Sequence, residues 1–164
     1  MVTVGDTAPA FTAPMATGDS ATAVEQFSLS EALDDGPVVL AFYPAAFTGG
    51  CTDEMCAFRD SMAAFEELDA RVFGVSVDLP FAQNVFMEHN GLTFPMLSDA
   101  DHDVIEAYGV VKGPLQGIQR LARRSVFVVD TDGTVAYRWL REEGETTDYA
   151  ELVETVREEV AALA

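Results

Sequence analysis

Residues 37–60 read PVVLAFYPAAFTGGCTDEMCAFRD, and the change of pattern inside this stretch sets the expectation for the fold. Its first part, residues 37–43, is a continuous apolar run rich in β-branched and aromatic side chains. That is the pattern of a strand buried on both faces. Pro44 ends the strand, because it has no N–H to give to a ladder. Beyond the cysteine the pattern turns helical: Met55, Phe58, Met62, Phe65 and Leu68 fall at three- and four-residue spacings within 52–69, laying an apolar stripe along one helix face. Gly49 and Gly50 are read as a tight turn, with Thr52 or Asp53 opening the helix. The whole is a strand–loop–helix unit with Cys51 at its junction.

Working outward, residues 71–78 (RVFGVSVD) and 125–130 (SVFVVD) repeat the buried-strand pattern. VAYRWL at 135–140 returns across the turn TDGT at 131–134, since an Asp-Gly step between two such runs is a strong hairpin signal. Helices are expected over 80–89, 100–107 and 147–163, the last with Tyr149, Leu152, Val153, Val156 and Val160 on one stripe. FPML at 94–97 reads as a short extended stretch, and residues 10–15 and 22–27 as an edge hairpin across ATGD. KGPLQGIQRLAR at 112–123 is the longest expected loop and the one locally basic part of the chain. This order predicts an α/β protein with a thioredoxin-like fold: a mixed central β-sheet flanked by helices, with an N-terminal β-hairpin. No linker, repeat or low-complexity tract interrupts it, so residues 1–164 are expected to form a single domain.

Charge narrows the functional classes. Nine basic residues face 28 acidic ones, a formal net charge of -19, and Lys112 is the single lysine. Such a surface repels phosphates and anionic lipid, which argues against nucleic-acid and membrane partners. Three readings compete, a proteome adapted to high salt, an acidic but ordinary soluble protein and one site for cationic partners; the acids are scattered along the chain, which favours a global cause, the first of these. No apolar run approaches the ~20 residues of a membrane span. The start, MVTVGDTAPAF, has no basic region followed by an apolar one, so a cytoplasmic, reducing location is expected. Two cysteines in that setting point to chemistry or metal more than to a structural staple.

A cysteine near a helix N-terminus faces unpaired N–H groups and the positive end of the helix dipole. Both favour the thiolate, lowering the pKa from ~8.5, and the same N–H groups suit an oxygen on which charge develops. Thr48 offers a hydroxyl that donates and accepts, and Pro44 is expected to shield the thiolate side of the pocket. Cys51 is therefore read as a nucleophile, against an inert buried thiol or a metal ligand. His89 and His102 have no zinc spacing, so a metal site is not favoured, and no CxxC is present, which argues against ordinary thioredoxin chemistry; a thiol nucleophile needs no metal or organic cofactor, and none is expected. Cys56, five residues on, lies ~140° around and ~7.5 Å along a helix from Cys51. A disulfide needs Cα atoms within about 7 Å, so linking them requires the helix to unwind. Cys56 is either a resolving cysteine or a packed core thiol.

The segment FYPAAFTGGCTDEMCAFRD at 42–60 resembles the active-site signature of the peroxiredoxins (AhpC/TSA superfamily), carried by Pro44-x-x-x-Thr48-x-x-Cys51. VGDTAPAF at 4–11, FPMLSD at 94–99, AYGV at 107–110 and RSVFVVD at 124–130 extend the similarity over nearly the whole chain. The resemblance implies a thiol-dependent peroxidase acting on hydrogen peroxide and organic hydroperoxides. It makes Cys51 the attacking cysteine, Thr48 and Pro44 its pocket partners, and Arg124 the arginine that stabilises thiolate and developing charge. Glu54 matches a commonly acidic or amide position. Arg59 matches a residue that supports the active-site loop, and Arg123 reads as a surface arginine. The Cys51/Cys56 spacing is similar to the bacterioferritin comigratory protein (peroxiredoxin Q) group, which implies an intramolecular disulfide. FTGGC, FPMLSD and the loop at 107–113 are similar to the alkyl hydroperoxide reductase E group, which implies one cysteine and an external thiol. A thioredoxin-like protein or a low-molecular-weight thiol is the implied reductant, and a homodimer is a family expectation. Phe42, Phe47 and Leu115 are candidates for an apolar lining that accepts an alkyl chain. Trp139 is expected against the sheet or a subunit partner. The rival readings are a thiol-disulfide oxidoreductase and a non-catalytic redox-sensing interaction module.

Overall fold

The structure, a computed structural model, describes residues 1–164 apart from the side chain of Cys51. Its strands are β1 (Thr12–Ala16), β2 (Val24–Ser28), β3 (Val38–Phe42), β4 (Arg71–Ser76), β5 (Met96–Ser98), β6 (Val111–Lys112), β7 (Leu121–Ala122), β8 (Ser125–Val129) and β9 (Val135–Leu140). Its helices are α1 (Leu29–Ala32), α2 (Gly49–Asp60), α3 (Met62–Glu67), α4 (Pro80–Asn90), α5 (Asp103–Tyr108) and α6 (Tyr149–Ala161).

The apolar run at 37–43 becomes β3, buried along its whole length, because it lies in the interior of a seven-stranded sheet of order β2-β1-β5-β4-β3-β8-β9. β3, β4 and β5 run parallel, while β8 and β9 on one side and β1 and β2 on the other are antiparallel. Alternation along β3 divides the core in two. Val39, Ala41 and Tyr43 face a cluster with Met55 and Phe58 of α2, Phe86 of α4 and Val153, Val156 and Val160 of α6. Val38, Leu40 and Phe42 face the opposite cluster, with Phe73, Ile105, Tyr108 and Phe127. Burying each of the valine, leucine, isoleucine, methionine and phenylalanine side chains contributes about 1.5–3 kcal/mol, so both layers are strongly held. This is the mixed, helix-flanked, thioredoxin-like sheet with an N-terminal hairpin. Among the described residues no helix is long and apolar enough to cross a membrane.

Several boundaries differ from expectation. The helix read over 52–69 begins at Gly49 and breaks at Ser61, whose N–H bonds three residues back to the Phe58 carbonyl (3.0 Å) and so tightens the turn. The loop read over 112–123 carries a small ladder between β6 and β7 and an inner Leu115–Ile118 bridge. The short helix α1 was not expected; its four residues are too few to show a helical period.

Candidate active site

β3 delivers the chain to Pro44, which is buried, and the loop beyond is tied down from behind. The Ala46 N–H donates to Asp78 Oδ2 at 2.9 Å. Ser76 Oγ donates to the same oxygen at 2.7 Å, and Ser98 Oγ donates to the Asp78 carbonyl at 2.7 Å. Gln83 Nε2 donates to Ser76 Oγ (3.0 Å) and to the Leu97 carbonyl (2.8 Å). The ends of β4 and β5 and the start of α4 thus converge on one loop. Sequence reasoning missed this network, although four hydrogen-bonding side chains at the ends of predicted apolar elements were a usable signal.

The sharp turn is made by Phe47 and not by the glycines. Phe47 has φ 67°, a conformation that costs a non-glycine residue energy and collects at functional sites. Its ring packs edge-on to Phe86 at 5.3 Å between centroids and to His89 at 6.0 Å. Thr48 is then extended and stands as the N-cap of α2. Its carbonyl accepts the Thr52 N–H (3.0 Å) and hydroxyl (3.1 Å), and its own hydroxyl donates to the Ala45 carbonyl at 2.9 Å. With its proton committed there, the Thr48 oxygen retains acceptor capacity at the loop surface. Gly49 and Gly50 belong to the first helical turn, correcting their reading as a turn, and Cys51 is the third helical residue. That turn carries N–H groups without intrahelical acceptors. The side chain of Cys51 itself lies outside the described residues.

Arg124 comes from the other side of the sheet. β8 pairs antiparallel to β3 with Phe42 opposite Ser125, so Arg124 stands one rung on, opposite the Tyr43–Pro44 end. Its side chain is 11% exposed and crosses the space left by Gly50. A Cβ at Gly50 would sit 3.1 Å from Arg124 Nη2 and 3.7 Å from Tyr149 Oη. The guanidinium carbon lies 5.7 Å from the Tyr149 ring centre, within cation–π range. Nη1 is 3.6 Å from Glu54 Oε1. Glu54 is fully buried and neither carboxylate oxygen receives a hydrogen bond. Burial therefore pushes its pKa up to about 8, against the opposing pull of Arg124.

Arg59 lies at the far end of α2. It bonds the Asn90 carbonyl at the end of α4 (2.6 Å) and Asp60 (3.0 Å); its contacts dock α2 on α4. Cys56 is a half-buried free thiol packed on the core, inside the same α2 that holds Cys51. Arg123, read as a surface arginine, instead donates twice to the Arg141 carbonyl at 3.1 Å and lines an open cavity of about 420 Å³ with Pro44, Lys112, Arg124 and Arg141. Phe42, Phe47 and Leu115 do not line that cavity: Phe42 is sealed in the core against Tyr108 and Phe127, and Phe47 packs on α4. Trp139 is half-buried against the core on β9. Among the described residues no group of three or more His, Cys, Asp or Glu side chains could hold a metal ion.

Known proteins match this arrangement along most of the chain. The family described as "AhpC/TSA family" matches residues 4–138. A Mycobacterium tuberculosis protein assigned to the peroxiredoxins is 44% identical over 131 residues, covering 80% of each chain. Peroxiredoxin Bcp of Escherichia coli is 34% identical over 139 residues, covering 81% of this chain and 82% of its own. The crystal structure of peroxidoxin BcpB from Mycobacterium tuberculosis superposes with a TM-score of 0.86 at 36% identity, over 100% of this chain and 99% of that one. Fold, loop and sequence thus agree, and the chain belongs to the AhpC/TSA family of peroxiredoxins, related to the Bcp and peroxiredoxin Q branches and sharing the family's thiol-peroxidase activity.

Proposed function

We propose that Cys51 is the attacking cysteine, that Arg124, Thr48 and the N–H groups opening α2 stabilise its reaction, and that Pro44 walls the pocket. The observation that supports this best is the nearly buried Arg124 guanidinium passing over Gly50, next to Cys51 in the first turn of α2. The thiolate attacks the terminal oxygen of a hydroperoxide. An S–O bond forms and the O–O bond breaks; sulfur loses two electrons and the peroxide gains them. The leaving hydroxide or alkoxide takes a proton and departs as water or alcohol, and Cys51 is left as a sulfenic acid. Glu54 sets the field around Arg124, and Arg59 holds α2 in place.

Cys56 then condenses with the sulfenic acid, releasing water and forming a disulfide. A thioredoxin-like protein or a low-molecular-weight thiol reduces that link by exchange. A second reading has support too. Cys51 and Cys56 share one unbroken helix, which supports the one-cysteine cycle of the alkyl hydroperoxide reductase E type, resolved by an external thiol. In either case residues 1–164 act as one domain, in a homodimer, in the cytoplasm. The net charge of -19 supports a cell interior rich in salt.

Mass spectrometry after one equivalent of hydrogen peroxide separates the readings. Loss of two hydrogens mapped to Cys51 and Cys56 supports the disulfide cycle and requires α2 to open. Gain of one oxygen on Cys51 with Cys56 free supports the external thiol. Peroxide turnover that survives Cys51→Ser at the wild-type rate would refute the assignment altogether.

A further inference from the structure

Four of the nine basic residues of this acidic chain surround one cavity. Lys112, Arg123, Arg124 and Arg141 line it, with Pro44 beside them and Glu142 and Glu143 as its carboxylates. Elsewhere cations are spent on local pairs: Arg59 with Asp60, Arg71 with Asp35, Arg120 with Glu106, and Arg157 with Glu154. Arg138, the remaining one, bonds the Val2 carbonyl. In the cavity, Arg123 reaches the exposed Glu142 at 3.5 Å and Arg124 pairs with Glu54. Among the described residues, Lys112 and Arg141 have no carboxylate within ion-pair distance. Arg141 is half-buried and anchored through Nη2 to the Glu145 carbonyl at 2.6 Å. It is held in position without being neutralised, in a chain where acids outnumber bases about threefold. Hydrogen peroxide is neutral and very small, so it needs neither of these outer cations. A pocket of about 420 Å³ also exceeds its needs, falling in the range of sites for small organic ligands.

We infer that this cavity binds the carboxylate of an acid-bearing organic hydroperoxide, with Lys112 and Arg141 gripping the acid while the O–O bond is presented to Cys51 beside Arg124. Arginine suits that role because its fork matches a carboxylate. The inference rests on the peroxidase reading above, and it adds a substrate class to it. The chemistry balances as before: the O–O bond breaks, sulfur is oxidised by two electrons, and the hydroxy acid leaves with a proton from solvent.

The test compares cumene hydroperoxide carrying a para-carboxylate with its methyl ester, which has the same shape and no charge. Rates of Cys51 oxidation are followed by stopped flow at about 0.1 M salt, where screening over ~10 Å mutes distant acids but not contacts inside the cavity. The chain's overall negative field alone would slow the acid. The cavity predicts the reverse, an acid/ester rate ratio of about ten. The ratio should fall towards one in Lys112→Gln and in Arg141→Ala, and stay at the wild-type value in Arg157→Gln, which removes a positive charge from α6 far along the chain. Lys112→Gln keeps the test sound if Arg141→Ala loosens the 141–145 loop. A wild-type ratio of one or below overturns the carboxylate site while leaving the peroxidase reading intact. Failure to consume hydrogen peroxide at all overturns the peroxidase reading instead.

Discussion

Glu54 and Arg124 carry the tension of the site in a single pair. Glu54 is buried in α2, three residues past Cys51 and 3.6 Å from a guanidinium, and burial outweighs that attraction enough to lift its pKa from 4.5 to about 8. The folded protein thus keeps a proton that the unfolded chain releases between those values. Stability from this group must therefore fall as pH rises from 4.5 and level off above about 8, by on the order of a few kcal/mol in total. Glu54→Gln removes the titration. Urea unfolding of wild type and variant across this range should show the wild type losing ground steadily; parallel profiles would mean that Glu54 is ionised in the folded state. The functional consequence lies with Arg124. A neutral Glu54 leaves its charge directed at the pocket, and an ionised one would draw it inward.

At the scale of the element, α2 decides whether those groups meet, and its two glycines are not equivalent. Nothing stands within 4 Å of a Cβ built on Gly49, whereas one on Gly50 lies 3.1 Å from Arg124 Nη2. Gly49→Ala should leave peroxide-dependent oxidation of Cys51 unchanged and, because Gly49 is the first residue of α2, stabilise the protein by at most a few tenths of a kcal/mol, about half or less of the interior helix-propensity gain. Gly50→Ala should displace the guanidinium by a few tenths of an ångström and slow that oxidation about tenfold. Equal rates for the two variants would show that Arg124 does not depend on this gap. The sequence pattern alone reaches part of this arrangement. β3 is readable because a fully apolar run has one good place, the sheet interior; Arg124 is not, since its position before another such run gains meaning only from the family resemblance. The start of α2 was misread because Gly-Gly looks like the turn, while the left-handed residue is Phe47, held by Phe86 and His89 on α4. The polar side chains that end β4 and β5 mark a polar cluster, but the partner that makes Asp78 matter, the N–H of Ala46, is 32 residues away, and no local pattern encodes a bond of that span. Nor does periodicity gather Lys112, Arg123 and Arg141 around one cavity; that follows from how β6, β7 and β9 converge.

For the whole molecule, charge governs stability as much as packing does. Surface ion pairs among the described residues engage five of the 28 acidic side chains, so the folded surface concentrates many carboxylates that the unfolded chain holds farther apart. Their mutual repulsion opposes folding, and salt relieves it as the screening length falls from ~10 Å at about 0.1 M to ~3 Å at about 1 M. The urea midpoint should therefore climb as potassium chloride is raised through that range. Salt also strengthens apolar burial, so the charge effect has to be isolated. Glu25, Glu66, Glu67 and Glu88 are exposed and, among the described residues, take part in no ion pair. Replacing these four by Gln leaves the core and the site untouched and removes four negative charges. The quadruple variant should be more stable than the wild type at low salt, and the gap should close at about 1 M. A gap that persists unchanged at high salt would locate the effect in local contacts. No gap at all would mean that the acidic surface costs the fold little, and that its excess of carboxylates answers a need other than stability.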